Sequence, residues 1–252
     1  MIEKFDVHIT PFHLDRRIHL YLPKNYHQSE KRYPVLYMYD GHNLYYDSDA
    51  TYGKSWGMKD YLDKSNYEMI VVGIECNHEG NKRLEEFSPY SGITTFAGEI
   101  EGKGEIFMDW VVDELKPFID QNYRTLPDRT NTAIGGSSMG GLMSLFSVIH
   151  YNHIFSKAAC LSSAISFCMD ELYDEIQRAT LNSDTKIYMD FGSLEARDQK
   201  GLAYLTSNNL EIAHALSLKG VSTYPRVIVD GIHNEATWEK QIPIFMDYFF
   251  YK

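Results

Sequence analysis

The chain predicts an α/β fold: a mostly parallel central sheet with helices on both faces, opened by an antiparallel pair of strands. Three observations predict it. Segments with strand periodicity alternate with segments of helical periodicity along the chain. The inner strand segments are almost wholly apolar, as in a sheet covered on both faces. The pentapeptide Gly136-Ser137-Ser138-Met139-Gly140 stands where a strand pattern gives way to a helix pattern.

The elements follow in order. Phe5 to Thr10 and Arg17 to Leu22 alternate with period two and are expected to pair antiparallel. Pro34 to Asp40 and Met69 to Ile74 read as buried strands, with a short helix from about Ser55 to Lys64 between them. From Cys76 to Gly104 the chain is polar, glycine-rich and irregular, long for a connection in a compact domain, and is expected to be a functional segment or to carry small elements of its own. Glu105 to Tyr123 carries Ile106, Phe107, Trp110, Val111, Leu115, Phe118 and Ile119 at helical spacing, with Pro117 expected to kink the helix. After the pentapeptide come a helix, a strand at Lys157 to Leu161 and a helix at Asp170 to Thr180. A strand at Lys186 to Phe191 and a helix at Leu202 to Leu218, stopped by Gly220, follow. Thr223 to Val229 is the last strand and Trp238 to Phe249 the last helix. No repeat or linker divides residues 1–252, so one domain is expected.

Composition narrows the function. The formal net charge is −11, which argues against nucleic acid and anionic membrane as partners. Arg16-Arg17, the nearest thing to a basic patch, is expected on a solvated strand face. No apolar run approaches the roughly 18 residues of a membrane helix. Cys76, Cys160 and Cys168 are odd in number and sit in apolar or β-prone surroundings, so they are expected to be reduced thiols of a cytoplasmic protein. No H-E-x-x-H, C-x-x-C or phosphate-cradling glycine motif occurs, so no metal or cofactor is expected. Oligomeric state, including a homo-oligomer, is left open.

The pentapeptide carries the chemistry. Only Ser138 has glycine two residues away on both sides, and a strand before and helix after make it a nucleophile elbow. A serine hydroxyl needs a base, and the base needs an orienting acid. Of the ten histidines, His233 alone lies downstream in a loop just after a strand. For the acid, Glu195 comes soonest in the loop after the strand ending at Phe191, with Asp198 and Asp190 as alternatives. The oxyanion hole is expected from the amide of Met139 and one from Asp40-Gly41-His42-Asn43-Leu44, with His42 preferred and Gly41 or Asn43 as alternatives. Tyr45, Tyr46, Tyr52 and Trp56 follow that loop, Arg83 and Tyr90 lie in the long segment, and Trp238 follows His233 by five. Together they are expected to line a substrate cleft.

Tyr37 to Leu44, Asn122 to Thr125 and Ile134 to Leu142 together resemble the Putative esterase family of α/β-hydrolases. That family takes in esterase D-type, feruloyl and siderophore esterases and mycolyltransferases. The resemblance implies the α/β-hydrolase fold and hydrolysis of a small-molecule ester. Gly192-Ser193-Leu194-Glu195 is similar to the family's Gly-Thr-x-Asp/Glu acid loop, with Ser in place of Thr, which supports Glu195. Gly231-Ile232-His233 matches its Gly-x-His. The alternatives are an acyltransferase on the same machinery and a non-catalytic binding protein on the same scaffold.

Overall fold

The computed structural model describes residues 1–94 and 97–250. Its ten strands are β1 (Ile2–Ile9), β2 (Leu14–Tyr21), β3 (Val35–Tyr39), β4 (Ile70–Ile74), β5 (Gly92–Thr94), β6 (Gly98–Ile100), β7 (Thr132–Ser137), β8 (Lys157–Leu161), β9 (Lys186–Gly192) and β10 (Ser222–Ile228). Its α-helices are α1 (Met58–Lys64), α2 (Lys82–Glu86), α3 (Gly104–Trp110), α4 (Lys116–Asn122), α5 (Met139–His150), α6 (Met169–Arg178), α7 (Gln199–Leu218), α8 (Glu235–Glu239) and α9 (Ile242–Phe250). Eight strands form one sheet in the order β1-β2-β4-β3-β7-β8-β9-β10. β2 is antiparallel to both neighbours, and every other pairing in the sheet is parallel. This is the mostly parallel sheet, opened by an antiparallel pair, that the alternating pattern predicts, and the α/β-hydrolase architecture that the family resemblance implies.

The strand periodicity explains two cores. Along β3, Val35, Tyr37 and Tyr39 face one core while Leu36 and Met38 face the other. α3 through α7 supply the first core, with Phe107, Leu145, Ile176 and Ile212 among its members. α1 and α9 cover the opposite face through Met58, Leu62, Phe245 and Phe249. All residues of β3, β4, β7 and β8 are buried, which is why their sequences lack a polar stripe.

Two sequence expectations change in detail, and a third is filled in. The helix around Pro117 does not simply kink. A π-helical turn, Val111–Leu115, joins α3 to α4. Proline has no N–H for the carbonyl four residues back and its ring crowds that carbonyl, so a widened turn before it absorbs the misfit. The last helix divides into α8 and α9, and its start moves back to Glu235 because Asn234 caps it, accepting from the Thr237 N–H at 3.0 Å. The Cys76 to Gly104 segment, whose Thr95 and Phe96 lie outside the described residues, contains α2 and the β5–β6 hairpin.

Arg16 is not on a solvated face. It is buried and donates to Glu86 Oε1 at 2.6 Å and to the Glu75 carbonyl at 2.7 Å. α2 covers it, and a buried guanidinium requires such a partner. Arg17, one residue on, points outward and pairs with Asp6. Cys76, Cys160 and Cys168 are buried free thiols. Among the described residues, no helix is long and apolar enough to cross a membrane.

Candidate active site

Backbone strain marks one edge of the sheet. Five described non-glycine residues have positive φ, and four of them follow the carboxyl ends of strands: Asp40 after β3, Ser138 after β7, Ser162 after β8 and Asp230 after β10. Such conformations cost free energy and persist where surrounding structure enforces them. In a parallel sheet this is the edge where ligand crevices form.

Ser138 occupies the sharpest turn, at φ 58° and ψ −121°, between β7 and α5. Its N–H donates to Leu161 O at 3.0 Å, and its carbonyl accepts from Leu142 N and Ala164 N. The turn is therefore pinned on both sides. It also requires its glycines. A Cβ on Gly140 would lie 2.9 Å from Cβ of Tyr39, and one on Gly136 would lie 2.9 Å from the Gly140 backbone. The amides of Met139, Gly140 and Gly141 open α5 and have no carbonyl within the helix to bond.

Glu195 and His233 come together although 38 residues separate them. Their loops are fastened backbone to backbone: Ser193 N donates to Ile228 O and Leu194 N to Gly231 O, both at 2.9 Å. A Cβ on Gly192 would stand 2.2 Å from the Gly231 carbonyl oxygen, so only glycine permits this approach. His233 Nδ1 lies 2.8 Å from Glu195 Oε2. Glu195 Oε1 accepts from Gly192 N at 2.6 Å and from Ser162 Oγ at 2.7 Å. Trp238 Nε1 donates to Ser162 Oγ at 2.8 Å, and its ring stands edge-on to His233, 5.2 Å between centroids. Burial pushes the Glu195 carboxyl up, but hydrogen bonds from His233, Ser162 and Gly192 outweigh it and hold the group below its ordinary value. It is a carboxylate at neutral pH, suited to orient an imidazole and stabilise its cation.

Asp198 instead caps α7, accepting from Gly201 N at 2.8 Å. Asp190 is buried under the same edge, where it accepts from the Tyr188 hydroxyl and from Ser162 N. Burial raises it to about 7 against the pull of those two bonds.

The loop after β3 places Gly41, His42 and Asn43 in a single 3₁₀ turn. Asn43 N donates to Asp40 O, so the amides of Gly41 and His42 precede the turn's first internal bond. Gly41 packs on Gly73, where a Cβ would be 2.4 Å from backbone carbon. Asn43 Oδ1 accepts from Thr51 N, and His42 Nε2 is hydrogen-bonded to Thr51 Oγ1, both at 2.9 Å. These side chains tie the loop to its own continuation.

The remaining expected lining residues divide. Arg83 pairs neither with Glu85 nor with Glu86. Its guanidinium grips Asp40 through two bonds of 2.7 Å, fastening α2 to the loop after β3. Burial opposes the Asp40 charge, and the Arg83 charge and hydrogen bonds overcome it, keeping that carboxyl below its ordinary value. Tyr90 packs edge-on against Phe146, two turns along α5 from Ser138. Tyr45 and Trp56 are core residues, Tyr45 donating to Val71 O, whereas Tyr46 and Tyr52 are exposed. Sequence reasoning missed Ser162, which joins Glu195 to Trp238, and the meeting of His42, Cys76 and His78 behind the loop after β3. Ser162 carried a faint signal as a serine at the end of a buried strand; the second group carried none, because His42 lies on a different loop from Cys76 and His78.

Fold and family together define the class: a carboxylic ester hydrolase of the α/β-hydrolase type. The profile of the family described as "Putative esterase" matches residues 11–246, and the chain belongs to that family. The uncharacterized protein YbbA of Bacillus subtilis is 23% identical over 210 residues, covering 82% of this chain and 80% of its own. Among solved structures, an IroE-like serine hydrolase from Shewanella oneidensis superimposes with a TM-score of 0.79 at 18% identity, covering 99% of this chain and 80% of that one. The siderophore hydrolase EstA from Aspergillus nidulans gives 0.75 at 16% identity, covering 98% and 94%. At these identities the likeness is one of fold.

Proposed function

We propose that the chain is a serine carboxylesterase that cleaves a small-molecule ester through an acyl-enzyme on Ser138. The observation that carries the reading is the 2.8 Å bond between Glu195 and His233, at the same sheet edge as the strained Ser138 turn. Glu195 holds the Nδ1–H of His233, leaving Nε2 to take the Ser138 proton. Ser138 Oγ attacks the ester carbonyl. The amides of Met139 and His42 donate to the oxygen as it gains charge. His233 then protonates the departing alkoxide, and water activated by the same imidazole releases the acid.

Arg83 and the Cys76 to Gly104 segment border the mouth in this reading, because Arg83 reaches the loop after β3 while Gly92 packs on Phe167 beyond β8. Family membership and the siderophore hydrolase among the structural neighbours support aryl-acyl and siderophore-type esters as first substrates to test. The experiment is a panel of nitrophenyl, feruloyl, acetyl-sugar and siderophore triesters with wild type and Ser138→Ala. Turnover of at least one ester, reduced on the order of 10⁴-fold or more by Ser138→Ala, is the expected result. Turnover that survives the substitution contradicts the reading.

A further inference from the structure

Behind the loop after β3 lies a cluster that the esterase reading leaves unused. One ring nitrogen of His42, Sγ of Cys76 and one ring nitrogen of His78 all lie within 4.8 Å of one another. His42 and Cys76 are buried, with 5% of each exposed, while His78 is at the surface. His42 Nδ1 is buried with no hydrogen-bond partner, and an orphaned polar atom of this kind is costly. The outward nitrogen of each histidine is engaged: His42 Nε2 by Thr51 Oγ1 at 2.9 Å and His78 Nε2 by Glu75 Oε1 at 3.3 Å. Cys76 Sγ is 3.9 Å from His78 Nδ1. Both imidazoles are therefore held through Nε2; His78 Nδ1 faces the thiol, His42 Nδ1 is left without a hydrogen-bond partner, and the Asp40 carboxylate also stands beside the thiol.

We propose that His42 Nδ1, Cys76 Sγ and His78 Nδ1 form a site for a borderline-soft divalent cation of the zinc type. Two imidazoles and a thiolate are the donors that select such ions. The carboxylate and hydroxyl on the far nitrogens are the outer partners that fix tautomer and ring orientation in histidine–metal sites. Tetrahedral bonds to zinc set donors roughly 3.4–3.6 Å apart, so the cluster closes by about 1 Å, a movement open to the exposed His78 side chain. Water takes the fourth position. Binding displaces the Cys76 thiol proton to solvent. Bound metal clips the loop after β3 to the exit of β4 and stabilises the folded chain by mass action.

The test uses the full chain after chelator treatment, with Zn²⁺ and Co²⁺ as probes. One equivalent of Zn²⁺ retained through dialysis, with a rise of several degrees in Tm, is expected. Co²⁺ should bind with a thiolate-to-cobalt charge-transfer band. Cys76→Ser should abolish that band, and His78→Ala, at a surface position that tolerates truncation, should weaken Zn²⁺ binding about 100-fold or more. Absence of a retained ion, or an ion whose band and affinity ignore both substitutions, overturns the proposal. Neither readout depends on ester turnover.

Discussion

The two banks of the candidate site are built differently. On one, Trp238, Ser162, Glu195 and His233 form a chain of hydrogen bonds of 2.7–2.8 Å that ends on His233 Nδ1. On the other, Asp40 and Arg83 form a tight pair, yet His42 Nδ1 is buried without a hydrogen bond, and buried His19 has only a 3.9 Å approach of its Nε2 to Glu75 Oε1. The first bank is finished by the chain itself. The second is organised around one ion pair and leaves donor atoms unspent. Fixed geometry at the base, with chemical capacity left over at the oxyanion loop, is the pattern this contrast teaches.

Glu195→Gln attacks the first bank at its centre. Loss of the carboxylate frees the imidazole to take the wrong tautomer, and kcat should fall on the order of 10³–10⁴-fold with a folded protein. A fall of less than tenfold would assign the orienting role elsewhere. Arg83→Ala attacks the second bank. It leaves the buried Asp40 carboxylate unpaired and should destabilise the fold by roughly 2–3 kcal/mol, Arg83 being partly exposed. Because Arg83 is spent on Asp40, kcat/KM should drop by a similar factor across the ester panel. A loss confined to bulky or acidic esters would place Arg83 against substrate instead.

Asp190 sharpens the comparison through pH. Its folded-state value is raised to about 7 from an ordinary 3.8, chiefly by burial. The folded chain therefore holds a proton that the unfolded chain releases, and this group's contribution to stability declines as pH rises from about 4 to 7. Asp190→Asn, which keeps a neutral polar group, should gain stability relative to wild type across that window. The gain should be on the order of 2–4 kcal/mol between its ends, read by denaturant unfolding at several pH values. A constant difference across the window would show that Asp190 ionises normally beneath the site. The smallest effect is expected from Trp238→Phe. It removes one donor to Ser162 and leaves all three Glu195 bonds in place, so kcat should fall about tenfold or less.

What the sequence made legible follows from range. The elbow is local: its serine, glycines, strand and helix all lie between Thr132 and His150, and a Cβ on Gly136 would meet the Gly140 backbone within the turn itself. Glu195 and His233 were found by chain order and loop position, which a parallel sheet converts directly into proximity. Arg83 was read as a cleft-lining residue, and its pairing with Asp40 went unseen because 43 residues separate the two in the chain. Arg16 was read as solvated for the complementary reason: α2, which covers it, comes from the segment whose periodicity is weakest. The aromatic cluster failed similarly, since Tyr45 and Trp56 share their residue type with the exposed Tyr52 but face the core.

The central claim is that Ser138 is the nucleophile, activated by the bank that Glu195 and His233 complete. A fluorophosphonate probe followed by peptide mass spectrometry tests it most directly. One adduct per chain is predicted, on Ser138, forming at a rate sharply reduced in His233→Ala. An adduct on Ser137 or Ser162, or none on folded protein, would contradict the account.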